Sequence, residues 1–448
     1  MRLLFMILTL GFLIFKLFAQ DSTYTNPVGD FIKDGDTADP YVLRHEGKYY
    51  LYATSIQTHT YGYKVWMSEN LVDWTDMGDC FRNTDSGNEW GKENFWAPEV
   101  VFYNGQYYMV YSARDAGGKL RIALAKSSSP LGPFINEAAP LLGEDLECID
   151  GHLFIDDDGS PYLYYAKEIN SNIVNGHHVS QIYVQPLARY YLRPAGDPVL
   201  CLTPDQAWEF KSGDWRWNEG PTVFKHNGVY YMTYSANFFA SVDYAIGYAT
   251  ASSPLGLWTK YEGNPIVSSN LEIGVSGPGH NCVTYSPDGT EMFMVYHTHI
   301  NPNDPNAGRT INIDRLVIGQ DGILTLLGPT RTPQPMPSAN ATFLEKKSEN
   351  LPEKIELKSI YPNPFNSAVK IKFSVANGAR NPFVALTIFD LNGNKVHQLV
   401  QERLKAGTYH VTWQGKDGQN RTVPSGLYLC RLTVNQQVSV TRKLVFIK

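Results

Sequence analysis

Short runs of alternating apolar and polar residues, separated by turn-forming residues, fill most of this chain, and one run recurs five times. Its copies begin at Tyr49, Tyr107, Tyr162, Tyr230 and Phe293, at steps of 55 to 68 residues. A shorter run precedes each copy across a tight turn and a third run follows, and two copies continue into a fourth. Alternation with a period of two predicts β-strands.

Four short antiparallel strands at this spacing are typical of the blades of a β-propeller. One blade cannot bury both of its faces, so neighbouring blades stack around an axis. We therefore predict an all-β fold with a five-bladed β-propeller over residues 25–330. Residues 331–356, rich in Pro, Ser and charged side chains, are predicted to form a linker. Renewed alternation over residues 357–448 predicts a small C-terminal β-sandwich of the immunoglobulin type.

The first 20 residues have the pattern of a signal peptide. Arg2 precedes an apolar run from Leu3 to Ile14, Lys16 interrupts it, and Ala19 is a small residue suited to a cleavage site. The run is shorter than the roughly 20 residues that span a bilayer. We expect a soluble mature protein outside the cytoplasm, without a transmembrane anchor.

Composition narrows the possible functions. The 28 Tyr, 9 Trp, 37 Gly and 27 Pro residues favour strands and turns over long helices. A net charge of −6 argues against a nucleic-acid partner, which would need clustered Lys and Arg. Five Cys residues without a CxxC pair argue against a zinc or redox site and leave at least one thiol unpaired.

Ionisable residues recur at the start of the first strand of each predicted blade. Because this strand lies nearest the axis, the residues at its start should line a central funnel. The five starts are Asp39-Pro40, Pro98-Glu99, Asp150-Gly151-His152, Glu219-Gly220-Pro221 and His280-Asn281. Four offer an acid and the fifth a histidine, so we expect these groups to converge on one spot.

The stretches around these residues resemble glycoside hydrolase family 43, whose five-bladed propellers act on arabinose- and xylose-containing polysaccharides. The matching stretches are Ala38-DPYV, Asn94-FWAPEV, Cys148-IDGHLFIDDDG, Asn218-EGPTVF, Gly277-PGHN and Ile313-DRL, in the expected order. The resemblance implies inverting hydrolysis with Asp39 as the base, Glu219 as the acid and Asp150 as the carboxylate that tunes the acid. One departure is Gly151, where many members have proline after the tuning aspartate; glycine leaves the backbone beside Asp150 less restricted.

The chemistry of inversion fits this trio. One carboxylate must activate water while a protonated acid stands about 6.5–9.5 Å away, across the glycosidic bond. A negative Asp150 near Glu219 would raise the pKa of Glu219 by like-charge repulsion. Taken singly, each acid could instead accept hydrogen bonds from loop amides.

Further residues are candidates for binding substrate or metal. The resemblance implies that His280 ligates a buried metal, usually calcium, or holds a water; a hydrogen-bonded core histidine is the alternative, since calcium prefers oxygen ligands. No cofactor is required for the chemistry. The run Asp156–Asp158 lacks the spacing of a calcium loop and is interpreted as a hairpin turn.

Aromatic rings and a guanidinium near the funnel are expected to bind sugar. Phe95 and Trp96 could stack on a sugar face, with core packing as the alternative. Arg315 could fork to sugar hydroxyls, with an ion pair to Asp314 or another acid as the alternative. His152 and Trp217, which flank Asp150 and Glu219, are further candidates, and the loops at residues 55–63 and 170–178 could wall the pocket.

The C-terminal unit resembles the sorting domain of cargo for the type IX secretion system. The stretches Tyr361-PNPFN, Trp413-QGKDG, Ser425-GLY and Lys443-LVFIK carry this resemblance. It implies passage through an outer membrane with the secretion machinery as a partner. A carbohydrate-binding sandwich is the alternative.

We therefore expect a secreted, monomeric, inverting enzyme that cleaves α-L-arabinofuranosyl or β-D-xylosyl linkages in plant cell-wall polysaccharides. The alternatives are a retaining enzyme of the fructosidase type, a non-catalytic carbohydrate-binding propeller and a protein-binding platform. The sugar, the linkage and exo or endo action depend on loop shape, which the sequence leaves open.

Overall fold

The computed structural model describes residues 23–339, 356–366, 368–375, 382–404, 407–418, 421–434 and 437–447. The predicted signal peptide and most of the predicted linker lie outside these residues. Strands dominate the described part, and its three helices are short 3-10 turns at Phe31–Asp34, Ala207–Glu209 and Leu271–Ile273. Within the described ranges, no helix has the length and apolar character to cross a membrane.

Five four-stranded antiparallel sheets follow one another along residues 37–326. After β1 (Thr23–Tyr24), the first contains β2 (Thr37–His45), β3 (Lys48–Ser55), β4 (Gly62–Ser68) and β5 (Thr75–Arg82), and the second contains β6 (Glu93–Tyr103), β7 (Gln106–Arg114), β8 (Leu120–Ser127) and β9 (Ile135–Ala138). The third contains β10 (Cys148–Ile155) and β11 (Pro161–Lys167), then, after an inserted hairpin of β12 (Ile173–Val174) and β13 (His177–Val179), β14 (Ile182–Pro186) and β15 (Val199–Leu202). Strand β16 (Trp215–Arg216) pairs with β13, and the fourth sheet contains β17 (Asn218–His226), β18 (Val229–Ala236), β19 (Ala245–Ala251) and β20 (Thr259–Lys260). The fifth contains β21 (Gly279–Tyr285), β22 (Met292–Asn301), β23 (Asp304–Ile318) and β24 (Leu324–Leu326).

The first strands of these sheets form a closed circuit of contacts. Strand β2 contacts β6, β6 contacts β10, β10 contacts β17, β17 contacts β21, and β21 contacts β2. The cores lie between the faces of neighbouring sheets; Tyr63 of the first sheet and Phe95 and Tyr111 of the second share one buried cluster. The recurring aromatic runs thus pair the sheets face to face, and the prediction of an all-β fold is confirmed.

Each of the five first strands carries a β-bulge near its start. The pairing register with the second strand shifts there in every sheet. One residue of each bulge has a left-handed backbone, at φ 53° for Asp39, 45° for Ala97, 58° for Asp150, 56° for Gly220 and 40° for His280. A bulge re-aims the neighbouring side chains, so these five equivalent positions set the geometry of the layer in which the predicted site lies.

The first unit extends past its predicted end. Strand β25 (Gln334–Pro335) pairs with β1, and the amide of Ser338 donates a 2.7 Å hydrogen bond to Glu291. Residues 331–339 therefore belong to this unit, and the prediction that the linker begins at residue 331 is wrong.

The C-terminal unit consists of two antiparallel sheets around a shared apolar core. Its strands are β26 (Glu356–Tyr361), β27 (Val369–Val375), β28 (Phe383–Phe389), β29 (Lys395–Arg403), β30 (Gly407–Trp413), β31 (Gly426–Val434) and β32 (Gln437–Phe446). One sheet has the order β26-β27-β30 and the other β29-β28-β31-β32. Alternate residues of both sheets, including Ile371, Trp413 and Leu432, are buried in one cluster.

Candidate active site

Three acidic side chains from three sheets converge where the first strands meet. Asp39, Asp150 and Glu219 are all largely buried, at 9, 8 and 8% exposure. Nδ1 of His280 lies 3.5 Å from Oδ1 of Asp39 and 4.0 Å from Oδ2 of Asp150. The amide of Gly220, which follows Glu219, donates a 3.0 Å hydrogen bond to Oδ2 of Asp150. The structure thus brings the predicted trio together.

Hydrogen bonds between adjacent sheets fix the bulges that carry these side chains. In four sheets the amide of the left-handed residue donates to a side chain on the second strand of the preceding sheet. The pairs are Ala97 to Thr54 at 2.9 Å, Asp150 to Ser112 at 3.0 Å, His280 to Ser235 at 2.8 Å and Asp39 to Nδ1 of His297 at 3.2 Å. The bulges are therefore locked by the neighbouring sheets.

The third sheet lacks the side-chain acceptor that the other sheets carry on their second strand, and this changes the contact that Asp150 makes. The position that holds Thr54 or Ser112 elsewhere, paired with the residue before the bulge, is Ala166 here. Because alanine offers no acceptor, the amide of Gly220 bonds to Asp150 instead. The Asp150 carboxylate is thereby tied to the residue next to Glu219.

Asp39 is held as a carboxylate. Its Oδ2 accepts a 2.6 Å hydrogen bond from Thr54, and its Oδ1 lies 3.1 Å from Nη1 of Arg309. Burial raises the pKa of Asp39, but the charges of Arg309 and His280 outweigh burial and hold this pKa well below its usual range. An ionised carboxylate can accept a proton from water.

Arg309 is a site residue that sequence reasoning missed. Its guanidinium forms a fork with both carboxylate oxygens of Asp36, at 3.0 Å each, while reaching Asp39. It also lies over the ring of Phe239, 4.9 Å from the centroid. These contacts orient the charge that keeps Asp39 ionised.

His297 is a neutral neighbour of Asp39. Burial lowers the pKa of His297 to about 4, and its Nδ1 accepts the hydrogen bond from the Asp39 amide. Its ring lies parallel to that of Tyr244, with centroids 5.7 Å apart and an angle of 8°. His297 therefore supports the backbone of Asp39 and the ring of Tyr244 without adding a charge.

Glu219 lies in an environment that favours its protonated form. Burial raises the pKa of Glu219 well above its ordinary value, and the negative charge of Asp150 raises it further. Tyr244, another residue that the sequence did not reveal, donates a 2.8 Å hydrogen bond to Oε1. Burial also raises the pKa of Asp150, to about 6, with the charge of Asp39 adding to the shift. Asp39 and Glu219 therefore lie in surroundings that favour opposite protonation states, as acid–base chemistry requires.

The two aromatic residues at the start of β6 have different positions. Phe95 is completely buried among Tyr63, Phe81 and Tyr111, so the prediction that it binds sugar is wrong. Trp96 is half-buried and directly precedes the left-handed Ala97, as Glu219 precedes Gly220. Trp96 therefore occupies the position in the second sheet that Glu219 occupies in the fourth.

His152 and Glu99 lie beyond the bulge and pair with each other. Nδ1 of His152 is 2.7 Å from Oε2 of Glu99, and Nε2 of His152 accepts a 3.0 Å hydrogen bond from the amide of Val223. With both ring nitrogens engaged and the residue buried, His152 does not fit the predicted role in substrate binding. Glu99 likewise does not join the catalytic trio.

Arg315 lies away from the trio. Its Nε donates a 2.7 Å hydrogen bond to Glu291, and its Nη2 bonds the carbonyl oxygens of Pro335 and Met336. The prediction that Arg315 reaches the pocket is wrong, and the alternative of an ion pair with an acid is what the structure contains.

Trp217 is half-buried and belongs to a row of rings beside the site. Its ring lies 6.1 Å from that of Trp215 and 5.7 Å from that of Phe238. The inserted hairpin predicted to wall the pocket supports this row, since His178 of β13 stacks on Trp215 with centroids 4.2 Å apart. Trp217 lies two residues before Glu219 in the chain, and its predicted role in substrate binding stays a prediction.

The surroundings of His280 give calcium few suitable ligands. Its Nδ1 faces Asp39 and Asp150, and within the residues that the structure describes no group of three His, Cys, Asp or Glu side chains is arranged to hold a metal ion. Calcium takes six to eight oxygen ligands, so this donor set does not fit it. The role predicted for His280 as a metal ligand stays a prediction.

Comparison with protein families gives two matches. The model described as glycosyl hydrolases family 43 matches residues 24–324. The model described as a secretion system C-terminal sorting domain matches residues 359–448. The second match is to the type IX sorting domain and indicates secretion across the outer membrane to the cell surface.

Individual proteins agree with the first match. The solved structure of a thermostable family-43 glycoside hydrolase is 57% identical, with a TM-score of 0.68, and covers 71% of this chain and all of that one. The structure named endo-1,4-beta-xylanase from Bacteroides thetaiotaomicron VPI-5482 is 33% identical, with a TM-score of 0.59, over 69% of this chain and 98% of that one. Alpha-L-arabinofuranosidase 43 of Humicola insolens is 30% identical over 304 residues, which is 64% of this chain and 60% of the relative.

Proposed function

Since the chain belongs to glycosyl hydrolases family 43 and is a glycoside hydrolase, we propose that it cleaves α-L-arabinofuranosyl or β-D-xylosyl linkages in plant cell-wall polysaccharides with inversion at the anomeric carbon. The names of the arabinofuranosidase and xylanase relatives support these two sugars. The sorting domain places this activity at the cell surface. We propose that the enzyme is a monomer.

The observation that carries the proposal is the contrast between the surroundings of two carboxyl groups in one buried site, which shift their pKa values in opposite directions. Asp39 is ionised because Arg309 lies 3.1 Å from it, whereas burial and Asp150 keep a proton on Glu219. Inverting hydrolysis needs this combination of a base and an acid.

In the proposed reaction, Asp39 removes a proton from a water molecule as the water oxygen attacks the anomeric carbon. Glu219 gives its proton to the glycosidic oxygen as the bond from that oxygen to the anomeric carbon breaks. The products are a free sugar of inverted configuration and an alcohol, and Asp39 and Glu219 then exchange protons with solvent. Asp150 acts as a positioning residue that sustains the pKa of Glu219.

The proposal extends to the architecture. We propose that the five sheets are the blades of a five-bladed propeller, supported by the closed circuit of contacts among their first strands. We also propose that the two C-terminal sheets form an immunoglobulin-like sandwich.

The stereochemical course is the direct test. Proton NMR of fresh product should show the inverted anomer first, before mutarotation. Product with retained configuration would overturn the assigned roles and favour the retaining alternative.

A second test addresses Glu219. We expect Glu219→Ala to reduce activity strongly on substrates with poor leaving groups and less on activated aryl glycosides, because a good leaving group needs little protonation. Equal losses on both would contradict Glu219 as the acid, and an unchanged rate would favour a non-catalytic carbohydrate-binding protein. Products from arabinan, arabinoxylan and the aryl glycosides of arabinose, xylose and galactose identify the sugar.

A further inference from the structure

Five side chains form a continuous row of ring contacts that leads from the inserted hairpin toward the proposed catalytic carboxylates. His178 stacks on Trp215 and Trp215 on Trp217, whereas the ring pairs Trp217–Phe238 and Phe238–Phe239 are tilted by 43° and 54°; neighbouring centroids lie 4.2 to 6.1 Å apart. We call these five residues the aromatic row. We propose that it binds an extended neutral glycan chain, so that the enzyme selects polysaccharide over short glycosides. The inference rests on the proposed function.

The aromatic row borders the catalytic residues at two points. Trp217 lies two residues before Glu219 in the sequence. At the end of the row, Arg309 lies over the ring of Phe239, 4.9 Å from its centroid, and bonds to Asp39 at 3.1 Å. A chain lying on the row would therefore reach both proposed catalytic carboxylates.

The rings of the aromatic row are partly exposed to solvent, whereas the rings of an aromatic core would be buried. Phe238 and Phe239 are 41 and 43% exposed, and Trp215 and Trp217 are half-buried. Flat apolar rings left open to water suit the apolar faces of sugar units. Contiguous exposed apolar surface of this kind marks a binding site.

Buried polar contacts hold the two loops of the row in place before any ligand binds. Asn237 donates 2.9 Å hydrogen bonds to the carbonyl oxygens of Trp208 and Asp243, and its Oδ1 accepts one from the amide of Lys211. These bonds join the loop that carries Trp215 and Trp217 to the loop that carries Phe238 and Phe239. A surface ordered in advance loses less entropy when a ligand binds.

The charges beside the row favour a neutral chain over an acidic one. Arg309 is committed to Asp36 and Asp39. Arg216 is engaged by Nε2 of His177 at 3.0 Å and by the ring of Phe210 at 4.6 Å. Arg309 is thus paired with acids, and Arg216 is placed against His177 and Phe210, although its buried Nε has no hydrogen-bond partner among the described residues. The row therefore offers mainly its rings, which favours arabinan or xylan chains without uronic acids.

The test compares short and long substrates in Phe238→Ala and Trp215→Ala. For the wild type, we expect kcat/KM to rise with length along a series of neutral arabino- and xylo-oligosaccharides. Each variant should lose about tenfold on the longest chains, as expected for one lost stacking contact, and much less on a 4-nitrophenyl glycoside. Equal losses on both substrates, or no length dependence in the wild type, would overturn the proposal.

Binding without catalysis separates this inference from the proposed function. In the Glu219→Gln background, calorimetric titration with the same oligosaccharides should give affinity that grows with chain length and falls when Phe238→Ala is added. Absence of hydrolysis by the wild type would end the proposed function, whereas length-independent binding would end the inference about the row. Tyr190→Ala is the matched control, because Tyr190 is an aromatic residue that is 84% exposed outside the row; it should leave both measurements unchanged.

Discussion

The hydroxyl of Tyr244 donates a 2.8 Å hydrogen bond to Oε1 of Glu219, the group proposed as the catalytic acid. A donor at this oxygen stabilises the ionised carboxylate, and it opposes the effects of burial and of Asp150 on the pKa of Glu219. The hydrogen bond from Tyr244 therefore keeps the pKa of Glu219 lower than burial and Asp150 alone would make it.

Replacing this tyrosine should move the pH profile upward. In Tyr244→Phe the hydrogen bond to the ionised form is lost, so the pKa of Glu219 rises and the alkaline limb of kcat/KM shifts to higher pH. The measurement is a pH–rate profile on a substrate with a poor leaving group. A shift to lower pH would contradict the assignment of Glu219 as the acid.

Asp150→Asn should have the opposite effect. Removing the negative charge of Asp150 removes one cause that raises the pKa of Glu219, so the alkaline limb shifts to lower pH. The same pH–rate profile checks it. Asp157→Asn, which changes an exposed turn residue, is the control and should leave the limb in place.

Arg309 is expected to govern the acidic limb. Its charge lowers the pKa of Asp39, so in Arg309→Met this pKa rises and activity is lost at higher pH than in the wild type. We expect kcat/KM at the optimum to fall by about a hundredfold, as when one preorganised donor is removed. Arg315→Met is the matched control, since it removes an arginine of the same strand that pairs with Glu291. An equal effect of both variants would argue for a structural role of Arg309.

Gly279→Ala should disturb Tyr244 through packing alone. A Cβ at residue 279 would lie 1.8 Å from Cε1 of the Tyr244 ring, so the ring must move away and its bond to Glu219 is lost. We expect reduced activity and a free energy of unfolding lower by about 1–3 kcal/mol. Kinetics and thermal unfolding test this, with Gly143→Ala as the control, because no atom lies within 4 Å of a Cβ there. Retained activity would show that Tyr244 is not needed.

Neutralising Glu219 should stabilise the protein at alkaline pH. The pKa of Glu219 is raised in the folded state, whereas a glutamate in the unfolded chain titrates near 4.3. The stability that protonated Glu219 contributes is therefore complete below about pH 4. It is lost as the pH rises through the folded-state pKa. Glu219→Gln should therefore raise Tm by about 2 °C or more at pH 9 and change it little at pH 4. Calorimetry at both pH values measures this, and a gain at pH 4 alone would reverse the sign of the shift.

The five sheets and the convergence of Asp39, Asp150 and Glu219 could be predicted from the sequence, because both follow from the repeat. The repeat alone does not distinguish Glu99 from Asp150, since both lie at strand starts, and only the family resemblance selected Asp150. The register shift in the structure shows why: Glu99 lies beyond its bulge. Phe95 and Trp96 are adjacent in one strand and so point to opposite faces; this alternation could have shown that both cannot line the funnel.

Only the structure showed that Arg309, and not Arg315, contacts Asp39. Both lie on β23, which has 15 residues, and their even separation puts them on the same face of the strand. Six residues of extended chain cover about 20 Å, so only one of them can reach Asp39, and no local signal marks which. Tyr244 reaches Glu219 through packing between sheets, for which the spacing of residues in the sequence gives no signal.

The amide bonds between sheets have a consequence for protein engineering. Thr54 donates to Asp39 while it accepts from Ala97 of the next sheet, so the same hydroxyl joins two sheets and positions the proposed base. Thermal stability and catalytic rate are therefore coupled at Thr54. A substitution that strengthens the contact between the two sheets is expected to move the proposed base, Asp39, as well. Efforts to make the enzyme more stable should target outer strands such as β5 and β9 rather than β20, because Lys260 of β20 donates a 3.0 Å hydrogen bond to Asn218, the residue before Glu219.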